Sequence, residues 1–257
     1  MINRVLAPNP SLYTGAGTNT YIVSSNGEAL VLDPGPALDV HAVEIMKALE
    51  GLSPVGVVVT HTHPDHAPMA NPLAVRLDVP VYGYQPGPAF EPDIKVGDGQ
   101  SIRFGSLEFV AIHTPGHTPD HLCFRLGTAL FTGDHIMGGS TVVIEDASDY
   151  LASLYLVREL GVSRLEPGHG DTMDNAAEVI NDYIDHRLER ERQIVDVIRG
   201  GARTVGDIVD VVYSEVPAGL RFAATHQVRV QLTKLKRDGA VWFGSGSAEE
   251  DTEVHLR

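Results

Sequence analysis

The heptapeptide Thr60-His61-Thr62-His63-Pro64-Asp65-His66 sets three imidazoles and one carboxylate within six positions, directly after the apolar run at 55–59. Such a run reads as a buried strand, so the cluster lies where a strand hands its chain to a loop. Neutral imidazole nitrogen and carboxylate oxygen are the donor set for divalent zinc, manganese or iron. His61 and His63 are two apart and project to one side of an extended backbone. Asp65 and His66 follow the bend at Pro64 and can point elsewhere, so one short loop can feed two neighbouring metals.

Three more donors stand downstream, each at a strand-to-loop junction in a glycine-containing turn: His117 after Thr114-Pro115-Gly116, Asp134 after Thr132-Gly133, and His169 within Pro167-Gly168-His169-Gly170. Glycine lets the backbone bend each side chain toward a common point. His61, His63, Asp65, His66, His117, Asp134 and His169 make seven donors. With one of them shared, they form two four-donor sets and leave room for water.

The surrounding chain reads as alternating strands and helices. Strands are expected at 20–23 and 29–32 across an Asn26-Gly27 hairpin turn, then at 55–59, 79–82, 101–104, 107–112, 122–126 and 129–131. A helix over 40–50 is expected to be capped by Asp39, with Val40, Val43, Met46 and Leu49 inward. A short helix or irregular segment follows at 67–78. A helix over 148–160 is expected to be capped by Ser148, and a long one from Asp174 to Arg199 to end at Gly200-Gly201. That pair divides a catalytic unit, 1–200, from a small unit, 201–257. In the latter, Thr204 and Asp207 form a capping box before a helix at 205–213. A second helix spans 223–237, and strands at 240–243 and 252–256 complete a winged helix.

The 257 residues carry a formal charge of −15, which argues against long-range attraction to nucleic acid or anionic membrane. No stretch is apolar enough for a membrane helix and no secretory signal is visible. The one cysteine, Cys123, sits in an apolar run and fits a reducing cytoplasm.

The donor motifs resemble those of metallo-β-lactamase-fold hydrolases: His-x-His-x-Asp-His at 61–66, Thr-Pro-Gly-His ending at His117, Thr-Gly-Asp ending at Asp134, and Pro-Gly-His-Gly around His169. The resemblance implies an α/β fold, a four-layer αββα sandwich with the metals on one edge. It implies one metal on His61, His63 and His117, a second on Asp65, His66 and His169, and Asp134 between them. Asp134 stands where many true zinc β-lactamases use a thiolate, which points to the glyoxalase II, lactonase and nuclease branches. The 35-residue interval from Asp134 to His169 is too short for the inserted domain of the β-CASP nucleases. The run at 138–146, Asp149-Tyr150-Leu151, and His186-Arg187-x-Glu189-Arg190-Glu191 resemble the lactamase-beta-like protein 2 family. Animal members of that family are endoribonucleases. Asp120 is a departure, standing where that pattern has glycine in the loop carrying His117.

The resemblance implies a binuclear hydrolase that uses a metal-bridging hydroxide, with two divalent ions, zinc foremost and manganese or iron as alternatives. Asp65 and Asp134 are assigned as ligands and as candidates for steering a proton. His121 is read as a neighbour that orients a ligand, and His135 as able to reach substrate or leaving group. The backbone of Gly138, Gly139, Ser140 and Thr141 could meet a substrate anion. Arg187 and Arg190 read first as salt-bridge partners along a helix. His41, His226 and His255 read as surface residues. Arg229, Lys234, Lys236 and Arg237 give the last helix a basic side, but residues 201–257 hold seven basic and eight acidic residues, as a solvated face would. The leading function is hydrolysis of a small ester, thioester or lactone. Cleavage of single-stranded RNA is the alternative. A nucleic-acid-binding regulator with a metal-sensing sandwich is the reading of another class.

Overall fold

The computed structural model describes residues 1–138, 141–244 and 251–256. Strands β1 (Ile2–Leu6), β2 (Asn19–Ser25) and β3 (Glu28–Leu32) run antiparallel. The β2–β3 turn has positive φ at both Asn26 (52°) and Gly27 (84°), the conformation that favours an Asn-Gly pair. Helix α1 (Asp39–Ala48) leads to β4 (Ser53–Val58), which lies parallel to β3. Helix α2 (Ala70–Leu77) leads to β5 (Val81–Gly83), and β6 (Ile94–Lys95) closes a six-stranded sheet of order β1-β2-β3-β4-β5-β6. The second sheet starts with β7 (Ser101–Phe104), β8 (Leu107–His113), β9 (Leu122–Leu126) and β10 (Ala129–Gly133), all antiparallel. After α3 (Ala147–Glu159), β11 (Arg164–Pro167) joins parallel to β10.

Period-two alternation along each strand feeds two cores. Tyr21, Val23, Leu30 and Leu32 face Phe109, Phe124 and Phe131 between the sheets. Their neighbours Ile22 and Val31 turn outward to Ile45 of α1 and Leu73 of α2. On the second sheet, Cys123, Leu130 and Leu165 turn outward to Tyr150 and Leu154 of α3 and to Ile180 and Ile184 of the long helix α4 (Ala176–Arg199). The result is the αββα sandwich.

Helix α4 runs on into a separate core. Ile194 and Ile198 pack with Ile208 of α5 (Val205–Val212), Val228 and Leu232 of α6 (Arg221–Arg237), and Val241 of β12 (Val241–Trp242). Strand β13 (His255–Leu256) pairs antiparallel with β12, and the Thr204–Asp207 capping box is formed. This is a winged helix.

Several local expectations are corrected. Asp146, not Ser148, caps α3 by accepting the amides of Ser148 and Asp149. Helix α4 starts after Asn175 with no side-chain cap, and α1 starts after Leu38, with Asp39 in its first turn. The buried side of α1 includes His41, Ala42 and Ile45; of the expected inward residues Leu49 is buried and Met46 packs against the same core, while Val40 and Val43 are exposed. His41 is fully buried, with its Nε2 2.8 Å from Thr20 Oγ1, which corrects its reading as a surface residue. Among the described residues, no helix is long and apolar enough to cross a membrane.

Candidate metal centre

The cluster forms at one edge of the sandwich, where β4, β8, β10 and β11 all end. Backbone hydrogen bonds tie these ends together: Leu122 N–H to Thr60 O (2.8 Å), Gly168 N–H to Gly133 O (2.8 Å) and Asn19 N–H to Gly168 O (2.8 Å). The approach is close enough to exclude a side chain at 168. A Cβ on Gly168 would lie 2.7 Å from both Asp134 Oδ1 and His66 Cε1.

Two donor sets result. His61, His63, His117 and Asp134 form one; Asp65, His66, Asp134 and His169 form the other; within each, the donor atoms lie within 4.8 Å of one another. Nε2 of His61 and Nε2 of His117 each stand 3.0 Å from Nδ1 of His63. Nε2 of His66 is 3.3 Å from Nε2 of His169 and 3.3 Å from Asp134 Oδ1. His169 Nε2 is 3.1 Å from Asp65 Oδ2, and His117 Nε2 is 3.7 Å from Asp134 Oδ2. Nitrogen and oxygen ligands about 2.0–2.1 Å from one tetrahedral zinc stand roughly 3.3 Å apart. The observed spacings cluster around that value.

The hydrogen bonds on the far side of each ring decide what the inner nitrogens are. His66 Nδ1 meets Asp33 Oδ2 (2.9 Å), His117 Nδ1 meets Val143 O (2.7 Å) and His169 Nδ1 meets Gly17 O (3.1 Å). All three partners can only accept, so each Nδ1 carries the proton and a neutral ring has a bare lone pair at Nε2. His61 follows the same rule: Thr60 Oγ1 donates to Asp33 Oδ2 (2.7 Å), so it accepts from His61 Nδ1 at 3.0 Å. Lone pairs of neutral imidazoles thus converge on each other and on carboxylates, which is repulsive without a cation between them. Asp134 Oδ1 is buried and makes no hydrogen bond. The donors therefore fit two divalent ions.

Titration directions say the same. Burial opposes charge on His66, yet Asp134, Asp65 and Asp33 outweigh it and hold the imidazole well above its ordinary value. Burial likewise opposes charge on His169, but the nearby carboxylates of Asp134 and Asp65 push it up to about 9. Burial pulls His61 well below its ordinary value and His117 down to about 4. The carboxylate-rich half of the site demands positive charge, and the histidine-rich half offers neutral nitrogen.

Other expected site residues divide. His121 joins neither donor set; its Nε2 accepts the Asp134 amide (3.2 Å) and its Nδ1 meets Thr114 Oγ1 (2.9 Å). His135 is fully buried against the Tyr150 ring and lines no part of the cavity, which corrects the expectation that it reaches substrate. Thr141 lines the cavity; Gly139 and Ser140 lie outside the described residues. Arg187 is buried, donates to Val142 O (2.6 Å) and lies over Tyr150, while Arg190 donates to Gln193 and Val212 O. Neither has an acidic partner among the described residues, so the salt-bridge expectation is corrected. Asp120 Oδ2 accepts the Thr62 amide at 3.0 Å, fastening the His117 loop to the residue between His61 and His63.

The donors open into a cavity of about 840 Å³. Three walls were not foreseen. The loop at 9–14, folded on Asn9 and Ser11 side chains, supplies Leu12 and Tyr13. Val143 comes from the segment that leads into α3. His226 comes from α6 and meets Ile144 O at 3.1 Å. Pro8-Asn9-Pro10 with Gly15 and Gly17 was the available signal for that loop. Nothing local marks His226.

Comparison with known proteins agrees with this geometry. Residues 13–169 match the metallo-beta-lactamase superfamily and residues 204–246 the beta-lactamase associated winged helix domain. The chain belongs to the metallo-beta-lactamase superfamily and is a metal-dependent hydrolase with a binuclear site. It is 32% identical to a beta-lactamase-like protein 2 homolog of Caenorhabditis elegans, over 97% of this chain and 92% of that protein. It is 34% identical to an atrochrysone carboxyl ACP thioesterase of Aspergillus chevalieri, over 93% of this chain and 82% of that one. A beta-lactamase domain protein from Burkholderia ambifaria has the same fold, with TM-score 0.85 at 17% identity, covering 100% of this chain and 91% of the other.

Proposed function

We propose that this protein hydrolyses the thioester bond of a small acyl substrate at the centre formed by His61, His63, Asp65, His66, His117, Asp134 and His169. The observation that carries the reading is the pair of four-donor sets sharing Asp134 at the floor of the cavity. Five imidazoles and two carboxylates suit zinc, with manganese or iron as alternatives. When bound, two such ions supply hydroxide near neutral pH and polarise the carbonyl under attack. Net reaction adds water across the C–S bond, giving a carboxylic acid and a thiol.

The chain's own groups do the rest. Val143, Met137 and Leu12 give the cavity apolar wall against which an acyl group packs. Asp65 is the more exposed of the two donor carboxylates, with its side chain 24% accessible, and faces the cavity. It is placed to take a proton from the attacking water, with Oδ2 beside His169 Nε2 at 3.1 Å in the second donor set. Asp33, Thr60, Gly17 and Val143 fix ring orientation from behind.

The thioester bond is favoured by the name of the Aspergillus relative, and the small substrate by the use made of α6. In a nucleic-acid-reading winged helix the second helix lies in a groove. Here His226 and Gln227 of α6 donate to Ile144 O, Arg237 pairs with Asp146, and Lys234 pairs with Glu191. Its polar groups are spent inside the protein, and the chain is strongly acidic. Ribonuclease activity has less support on both counts. The lone buried Cys123 suits a reducing cytoplasm.

The test offers zinc-loaded protein an acyl thioester, a lactone and a labelled single-stranded RNA, with Asp65→Ala as control. Thiol release lost in the variant supports the proposal. RNA cleavage without thiol release would replace it.

A further inference from the structure

A second crevice, about 180 Å³, lies beside the catalytic cavity and shares Leu12, Tyr13, Thr141 and Val143 with it. Its other walls come from the middle of α4 and from the winged helix, and they bring two arginines, Arg187 and Arg190, to one place.

Neither arginine has a carboxylate within ion-pair distance among the described residues. That is unexpected in a chain with 34 acidic and 19 basic residues. Arg187 is 5% exposed. Its contacts are neutral: Val142 O at 2.6 Å, Gln227 Oε1 at 3.4 Å and the Tyr150 ring at 4.7 Å. Its Nε is buried with no hydrogen-bond partner among the described residues. Arg190 lies over the Tyr213 ring at 4.8 Å and engages Nη1 alone, with Gln193 Oε1 and Val212 O. Buried cations are ordinarily paired, because desolvating a lone charge is costly. Burial, with Arg187 and Arg190 next in weight, also pulls the His186 imidazole at this crevice below its ordinary value. Local packing accounts for where the guanidinium planes lie. It does not account for the missing counter-charge.

We infer that this crevice is an anion subsite in which Arg190 and Arg187 take the carboxylate or phosphate at the far end of the substrate. The subsite rests on the thioester reading for one point only, that the substrate has two arms. A carboxylate would sit on the acyl arm; a phosphate would sit on the thiol arm, as in a phosphopantetheine. Guanidinium presents paired N–H donors that match either group.

The experiment uses amide replacements of thioesters, which bind without being cleaved, so that it reads the subsite whether or not thioesters are the substrate. Two matched pairs are titrated calorimetrically into zinc-loaded protein. One is S-to-N-replaced acetyl-pantetheine with and without its 4′-phosphate. The other is an N-alkyl glutaramate beside the corresponding N-alkyl pentanamide. In the wild type the anionic member of one pair binds at least roughly tenfold more tightly than its neutral partner, the size of a charge-assisted hydrogen bond. Arg190→Gln removes most of that advantage and leaves the neutral probe unchanged. Arg190→Met, which keeps an apolar stem over Tyr213, carries the same expectation should the first variant fold poorly. The responding pair identifies the arm. No advantage in the wild type, or an advantage that both variants leave intact, overturns the subsite and places the anion elsewhere, such as on the metals. Loss of thioester turnover with the anion advantage retained would count against the proposed reaction alone.

Discussion

Asp33 Oδ2 accepts the Nδ1 proton of His66 at 2.9 Å while also accepting the Thr60 hydroxyl at 2.7 Å. One carboxylate behind the cluster thereby orients a histidine of the second set directly and His61 of the first set through Thr60. Asp33 holds this post at φ 48°, a left-handed conformation that Asp and Asn tolerate better than most residues. Asp33→Asn is therefore expected to fold while losing roughly 10–100-fold in metal affinity, as outer hydrogen bonds to metal ligands commonly cost. Competition with a coloured chelator measures it.

Asp120, on the loop that carries His117, accepts the Thr62 amide and so fastens that loop to the stretch at 61–66. Asp120→Ala leaves that amide without its partner. The expected cost is about 1–3 kcal/mol, which lowers Tm by roughly 2–12 °C for a chain of this size. Thermal melts of metal-loaded protein check this; an unchanged melt would mean that water replaces the carboxylate fully.

Asp146 caps α3 and pairs with Arg237 of α6. Burial raises its carboxyl, but bonds from Arg237, Asp149 and Ser148 outweigh that and hold it below the ordinary value. A depressed carboxylate contributes stability above its unfolded pKa and loses it as pH falls through the folded one. Wild-type protein should accordingly lose the contact below about pH 4. Asp146→Asn, which keeps a good cap but not the charge, should show a smaller loss of Tm over the same acid range.

Cys123 is fully buried, and burial raises its thiol to about 12. The thiolate is the reactive form. Native protein is expected to resist alkylation by iodoacetamide, and one adduct should form at the rate of unfolding. Rapid labelling of the native state would contradict the packing of β9.

The donors were legible in the sequence because each lies in a short contiguous motif at a strand end, four of them in the stretch at 61–66 and three in glycine turns. The sandwich was legible for the same reason, since strand periods and Asn26-Gly27 are local. What escaped depends on distance along the chain. His226 reaches Ile144 across 82 residues, and Asp33 reads locally as a strand stop before Pro34-Gly35. On α1 Val40 and Val43 are exposed while His41 is buried, its Nε2 2.8 Å from Thr20 Oγ1 on β2. Arg187 and Arg190 look like ordinary helix-surface charges until α6 covers one side of α4.

The shared role of Asp134 is the central claim, and metal uptake tests it most directly. Metal-free protein would be titrated with zinc, dialysed and analysed for bound metal, beside Asp134→Ala. The expected result is two ions per chain for the wild type, with at least one of them lost or bound far more weakly in the variant. Saturation of the wild type at one ion, or two ions bound with unchanged affinity by Asp134→Ala, would contradict a binuclear centre joined at Asp134.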